Sequence, residues 1–196
     1  KPVSRLRAAY PDVTVSLHQG SPDQVARMVI EEVAEIGMAT ESLANYPELV
    51  TLPCYEWQHV LVLPKNHPLA QKTRISLEDL AQEPLITYHP SVTGRTRIDN
   101  AFAAKQLTPR IALEAIDSDV IKTYVSLGMG VGIVAEMAVR DITDDELVVR
   151  PAGHLFGRNL ARIAFKKQAY LRQFVYEFAQ LLNPELNATR IAESMG

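Results

Sequence analysis

Apolar and polar positions alternate in short runs along this chain, and between those runs apolar residues recur at helical spacing. VTVSLHQG is apolar at Val13, Val15 and Leu17, a period of two that predicts a strand. The next run, SPDQVARMVIEEVAEIG, places Val25, Met28, Val29 and Val33 on one helical face. Ser21 is its expected N-cap, with Pro22 suited to the first turn and Gln24 completing a capping box. EIGMAT reads as a short buried strand, and LVTLP and HVLVLP as two further extended runs. Ser76 caps a helix over ISLEDLAQ, which Pro84 stops. PLITY, RIALEA, VGIVA and LARIAFKK are strands; TGRTRIDNAFAAKQ is a helix with Ile98, Phe102 and Leu107 inward. Asp117 or Ser118 caps DVIKTYVSLG, whose end is marked by Gly128 as a C′ glycine. AYLRQFVYEFAQLL is amphipathic through Leu171, Phe174, Val175, Phe178 and Leu181. Alternating strands and helices predict an α/β fold with largely parallel strands.

Composition narrows the function classes. The chain has 196 residues, 47% hydrophobic and 22% charged, enough apolar material for a core without disulfides. Its single cysteine, Cys54, excludes an internal disulfide and suits a reducing cytoplasm. No run approaches the roughly 18 apolar residues of a membrane span. A net charge of -3, with Lys and Arg scattered, speaks against a grip on DNA through phosphate neutralisation. KPVSRLRAAYPDV has no apolar signal-peptide core, but it opens in mid-helix pattern without a Met, so a piece upstream is expected.

Candidate chemistry gathers at strand ends. Helices are expected to begin just after strands at Ser21, near Thr93 and at Ser118, and Thr40 ends EIGMAT with another hydroxyl. In open α/β sheets ligands bind beyond the carboxyl ends of strands, and helix N-termini attract anions. The set suits sulfate, a carboxylate or an acylated amino acid, although each hydroxyl alone could be a plain cap. Arg95 and Arg97 could reach such an anion. GMGVGIV is no dinucleotide turn: Gly132 falls one residue early after Gly128 and Gly130, and the run leads from helix to strand. Those glycines instead end a helix and permit close strand packing. Cys54 lies among apolar and aromatic residues in LPCYEW, as a structural thiol does, and no histidine pair has metal-site spacing. Asp117, Asp119, Asp144 and Asp145 read as cap and turn acids. No catalytic set, metal site or cofactor motif emerges, so a binding module is expected rather than an enzyme.

SLHQGSPDQ, MATESL, LPCYEW, NHPLA, PLITY, TGRTRID, LTPRI and DSDVIKTYVSLGMGVG together resemble the effector-binding domain of LysR-type transcriptional regulators. Within that family they resemble the cysteine-regulon activator branch of CysB and Cbl, from Lys1 to about Leu182. The resemblance implies two Rossmann-like subdomains, as in type 2 periplasmic binding proteins, with an inter-subdomain cleft. Subdomain I would be residues 1–55 plus 159–196 and subdomain II residues 56–158, with crossovers near 54–56 and 157–160. The cleft would bind sulfate, thiosulfate, O-acetylserine or N-acetylserine. Thr40 and Thr93 match ligand-contact positions of the branch, and Gln19, Gly20 and Ser21 match a cleft-facing turn; Ser118 joins them from the residue pattern. A cytoplasmic homodimer or homotetramer is implied, pairing the helix after Ser21 (Arg27, Met28, Glu31) with the partner's helix after Thr93 (Phe102, Lys105). DNA would be bound only through an N-terminal domain absent from this sequence, and no membrane would be involved. The family's first effector-domain strand, ending in a Thr-Thr-His-Thr-Gln turn, should precede Lys1. The alternative is a periplasmic solute-binding protein for sulfate or an amino acid.

Overall fold

The computed structural model describes residues 2–92, 94–140 and 146–195. Along the chain run α1 (Pro2–Ala9), α2 (Pro22–Ile30), β1 (Gly37–Ala39), β2 (Leu49–Pro64), α3 (Leu77–Ala81), β3 (Pro84–Tyr88), α4 (Arg95–Ala104) and β4 (Arg110–Ala115). Then follow α5 (Ser118–Ser126), β5 (Val131–Ala135), β6 (Leu147–Pro151), α6 (Gly153–Phe156), β7 (Arg158–Lys166), α7 (Gln173–Leu182) and α8 (Ala188–Met195). Two compact units result: unit 1 is Lys1–Glu56 with Leu160–Gly196, and unit 2 is Trp57–Asn159. β2 and β7 are the strands that run from one unit into the other.

In unit 1, β1 pairs antiparallel with β7, Gly37 opposite Ala164 and Ala39 opposite Arg162. Side chains of β7 alternate between two faces, as a strand requires. Ile163 and Phe165 meet Val175 and Ala179 of α7 and Ile191 of α8, while Ala164 meets Ala26 and Val29 of α2. Helices therefore cover both faces. α1 packs on α7, and Tyr10 just beyond it donates a 2.7 Å hydrogen bond to Glu177 Oε1. The expected capping box of α2 is present: Ser21 Oγ accepts from Gln24 N at 3.4 Å, and Gln24 Oε1 accepts from Ser21 N at 2.8 Å. α2 stops at Ile30, so Val33 lies outside the helix and is 56% exposed.

Two sequence expectations change here. VTVSLHQG is not a strand. Its alternation survives, since Val13 and Val15 are half-buried, but Leu17 is 78% exposed and no ladder forms. A strand is completed by a neighbour's N–H and C=O groups, and no described segment offers them. LVTLP and HVLVLP are in turn one continuous strand, the 16-residue β2.

Unit 2 carries a sheet in the order β6-β2-β5-β3-β4. β3 is parallel to both β4 and β5, but β2 is antiparallel to β5 and β6. The largely parallel sheet expected from the strand–helix alternation is thus confined to β3, β4 and β5. Parallel neighbours need a crossover, which α4 and α5 supply, whereas β2 enters straight from unit 1. One face packs Leu61, Leu85, Ile133, Ile98 and Phe102; the other packs Val62, Ile86, Val134, Ile121 and Val125. Phe102 is 1% exposed, which places it in this core and takes it off any subunit surface. α5 ends in a Schellman motif: Gly128 N donates to Val125 O at 2.9 Å, Met129 N to Tyr124 O at 3.1 Å, and Gly128 takes φ +75°. Among the described residues no helix is long and apolar enough to cross a membrane.

Candidate functional site

Each unit presents a polar turn at its strand ends. In unit 1, Thr40 follows β1 and opens a short 3-10 turn. Its hydroxyl caps no backbone N–H and instead lies 3.2 Å from Ser42 Oγ, half-buried. Gln19 and Gly20 are exposed, next to the Ser21 cap. A Cβ at Gly20 would come within 2.9 Å of Gln24 Cβ, so the chain passes close over the start of α2 at that point.

In unit 2, Thr93 lies outside the described residues, as do Asp144 and Asp145; the positions around Thr93 are defined. Gly94 is the N-cap of α4, with φ +92° and no side chain to cap the helix. A Cβ there would come within 2.5 Å of the Trp57 ring and 3.0 Å of His59 Nε2. Trp57 and His59, two apart on β2, thus form the floor beneath the start of α4. His59 is fully buried between Trp57 and Phe156, with ring centroids 5.0 and 5.6 Å away. Neither of its ring nitrogens has a partner among the described residues. Burial, helped by the charge of Arg97, lowers its pKa to about 4, so it is neutral near pH 7.

Arg95 is anchored. Its Nε donates to Asp99 Oδ1 at 2.8 Å and its Nη1 to Glu114 Oε1 at 2.7 Å and to Tyr88 O. Burial opposes the charge, but the two carboxylates outweigh it and raise the pKa. This guanidinium fixes the first turn of α4 to β3 and β4. Asp117, not Ser118, caps α5, its Oδ1 accepting from Asp119 N at 2.7 Å. Ser118 Oγ lies 2.6 Å from the Tyr88 hydroxyl, which also accepts from Ala135 N at 3.1 Å. Within unit 2 the structure therefore joins Gly94, Trp57 and His59 in one cluster. Arg95, Tyr88 and Ser118 form a second that shares the same helix start.

Cys54 is buried, and burial pushes its thiol up to about 11, which removes it as a nucleophile near neutral pH. Among the described residues no group of three His, Cys, Asp or Glu side chains could hold a metal. Trp57, His59 and Tyr88 are not among the ligand-binding candidates of the sequence. The alternation in WQHV, which puts Trp57 and His59 on one face, was the available signal.

Known proteins share this fold. The LysR substrate binding domain family matches residues 2–187. The transcriptional regulator CysB of Burkholderia cenocepacia is 49% identical over 193 residues, covering 98% of this chain and 62% of that protein. The regulator SsuR of the same organism is 43% identical, with 98% and 62% covered. A solved structure of the cofactor-binding domain of the Cbl transcriptional regulator superposes with a TM-score of 0.91 at 40% identity, covering 99% of this chain and 85% of that one. The chain spans about three-fifths of the length of the curated relatives it matches. It belongs to the LysR family, as an effector-binding domain of the CysB, Cbl and SsuR type.

Proposed function

We propose that the chain is the effector-sensing and self-associating part of a cytoplasmic transcriptional regulator of sulfur assimilation and cysteine biosynthesis. Its effector is a small sulfur oxyanion, sulfate or thiosulfate, or an acetylated serine. Thr40 and Thr93 are its hydroxyl contacts, and the turns at Gln19–Gly20–Ser21 and Ser118 supply further polar groups. One observation supports this most: α4 starts at a glycine, so no N-cap side chain fills the positive end of the helix dipole, although Arg95 N and Arg97 N already donate to Val92 O and Gly94 O at 3.2 Å. The names of the relatives, all regulators, favour this reading over a periplasmic solute-binding protein.

The mechanism follows from linkage. An effector that binds one arrangement of the protein better shifts the population toward it, by no more than its difference in affinity. DNA recognition belongs to another part of the polypeptide, because the chain carries a net charge of -3.

Calorimetry with sulfate, thiosulfate, O-acetylserine and N-acetylserine tests the ligand class. Thr40→Val and Thr93→Val keep side-chain shape and remove the hydroxyl, so each should weaken binding by about 1–2 kcal/mol. Unchanged affinity in both variants would discard these contacts. Sedimentation tests self-association, and a monomer at high micromolar concentration would discard it.

A further inference from the structure

We propose that His59 is a positioning residue of the effector site at the start of α4, taking up a proton when an oxyanion binds there. This role rests on the effector reading given above, and it makes the site respond to acidity as well as to effector.

Geometry places the imidazole beneath the helix. A Cβ at Gly94, the N-cap of the ten-residue α4, would lie 3.0 Å from His59 Nε2, so a glycine backbone is what separates the ring from the helix start. The ring is fully buried, and neither nitrogen has a hydrogen-bond partner among the described residues. Packing alone does not call for it. Trp57 and Phe156 flank it at 5.0 and 5.6 Å, and a leucine would fill such a place with no unmet donor or acceptor. A polar side chain left unpaired in a core needs a reason other than packing, and this one is aimed at a helix N-terminus.

Charge supplies that reason. Burial opposes an imidazolium here, Arg97 of α4 opposes it further, and the positive end of the helix dipole acts in the same sense. The neighbouring ionisable groups are otherwise engaged. Arg95 in the first turn of α4 is paired with Asp99 and Glu114, and His154 of α6 has Nε2 2.9 Å from Ile75 O. His89, in the turn before α4, is exposed and accepts from Ser91 N through Nδ1 at 3.2 Å. An oxyanion at the start of α4 reverses the field at the buried ring. Its attraction across Gly94 favours the imidazolium, and by linkage a protonated ring favours the anion by the same factor. Sulfate stays a dianion in mild acid, so any proton taken up on its binding goes to the protein.

Calorimetry with inorganic sulfate at pH 7.5 and 5.5, at constant ionic strength, tests this. Opposite charge at close range moves a titrating group by about 1–3 pH units, and from a starting value of about 4 the middle of that range makes sulfate bind about fourfold more tightly at pH 5.5 than at pH 7.5. Titrations at pH 5.5 in two buffers of different ionisation enthalpy should then return about 0.7 of a proton taken up per sulfate. His59→Leu should keep the affinity at pH 7.5 within about twofold, because a neutral ring adds no charge to the site, and should abolish both the pH dependence and the proton uptake. His89→Gln should retain both. Should His59→Leu fail to fold, the ring signals of His59 in the wild type, followed by NMR at pH 5.5, must move to the protonated form as sulfate is added. Sulfate binding with no proton uptake overturns this role and leaves the effector reading standing. Uptake that survives His59→Leu, or that His89→Gln removes, overturns it as well. No sulfate binding at either pH overturns this role together with the sulfate part of the effector reading.

Discussion

His59 should make unit 2 sensitive to mild acid. Its imidazole is fully buried, lacks partners for both nitrogens among the described residues, and has its pKa lowered from 6.5 to about 4. The folded state holds the proton less tightly than the unfolded chain does. The stability is therefore complete above pH 6.5, falls as pH drops from there toward 4, and changes no further below. Each pH unit of displacement is worth about 1.4 kcal/mol, so the full loss is roughly 3 kcal/mol, and about 2 kcal/mol has gone by pH 5. Trp57, the only tryptophan, lies 5.0 Å from the His59 ring and reports on this unit by fluorescence. Urea unfolding at pH 7.5, 6 and 5 should show the midpoint falling in the wild type. His59→Leu removes the titrating group and should flatten that slope. At pH 7.5 it should cost little, because two unsatisfied nitrogens leave the core with it. A variant that keeps the wild-type pH slope would refute the argument and assign the acid sensitivity to carboxylates.

Three further outcomes are expected. Gly94 and Gly128 both have positive φ, but an added Cβ meets Trp57 at Gly94 and nothing within 4 Å at Gly128. Gly128→Ala should thus cost about 1 kcal/mol and Gly94→Ala at least about 2–3 kcal/mol, measured by denaturant unfolding; equal costs would remove the role given to the Trp57 contact. Arg95→Met should cost about 2–3 kcal/mol, less than a wholly buried pair would, because Asp99 and Glu114 keep access to water. Cys54 should resist alkylation by iodoacetamide at pH 8 until the chain unfolds, since its thiol is buried and raised to about 11; rapid labelling of the native protein would contradict this.

Much of the architecture was legible because its elements are locally self-consistent. PLITY, RIALEA and VGIVA match β3, β4 and β5 residue for residue: the first and last are short apolar runs closed by turn signals, and RIALEA shows a period of two. The capping boxes at Ser21 and Ser76 and the glycine after α5 behave as local chemistry dictates. What failed depended on partners far along the chain. Residues 13–17 have the alternation of a strand, but alternation supplies no neighbour. The polar and aromatic middle of LPCYEWQHV hid the continuity of β2, because backbone pairing does not need apolar side chains. β6 was not anticipated, nor was α6, which at four residues is little more than one turn. Of the strand-end hydroxyls, only Ser21 behaves as the cap its pattern announces: Thr40 caps no backbone N–H, Asp117 rather than Ser118 caps α5, and Thr93 lies outside the described residues. The floor made by Trp57 and His59 was not legible, because only the fold brings β2 under the start of α4.

Tyr88 sits where several elements meet. Its carbonyl accepts from Arg95 at the start of α4, and its hydroxyl meets Ser118 at the start of α5 and Ala135 N at the end of β5. Side chains that share a node do not act additively. The two helix starts are consequently not free to diverge one at a time. A substitution that retunes the chemistry at one is judged by natural selection together with whatever residue occupies the other, so specificity here should change by paired replacements that pass through Tyr88.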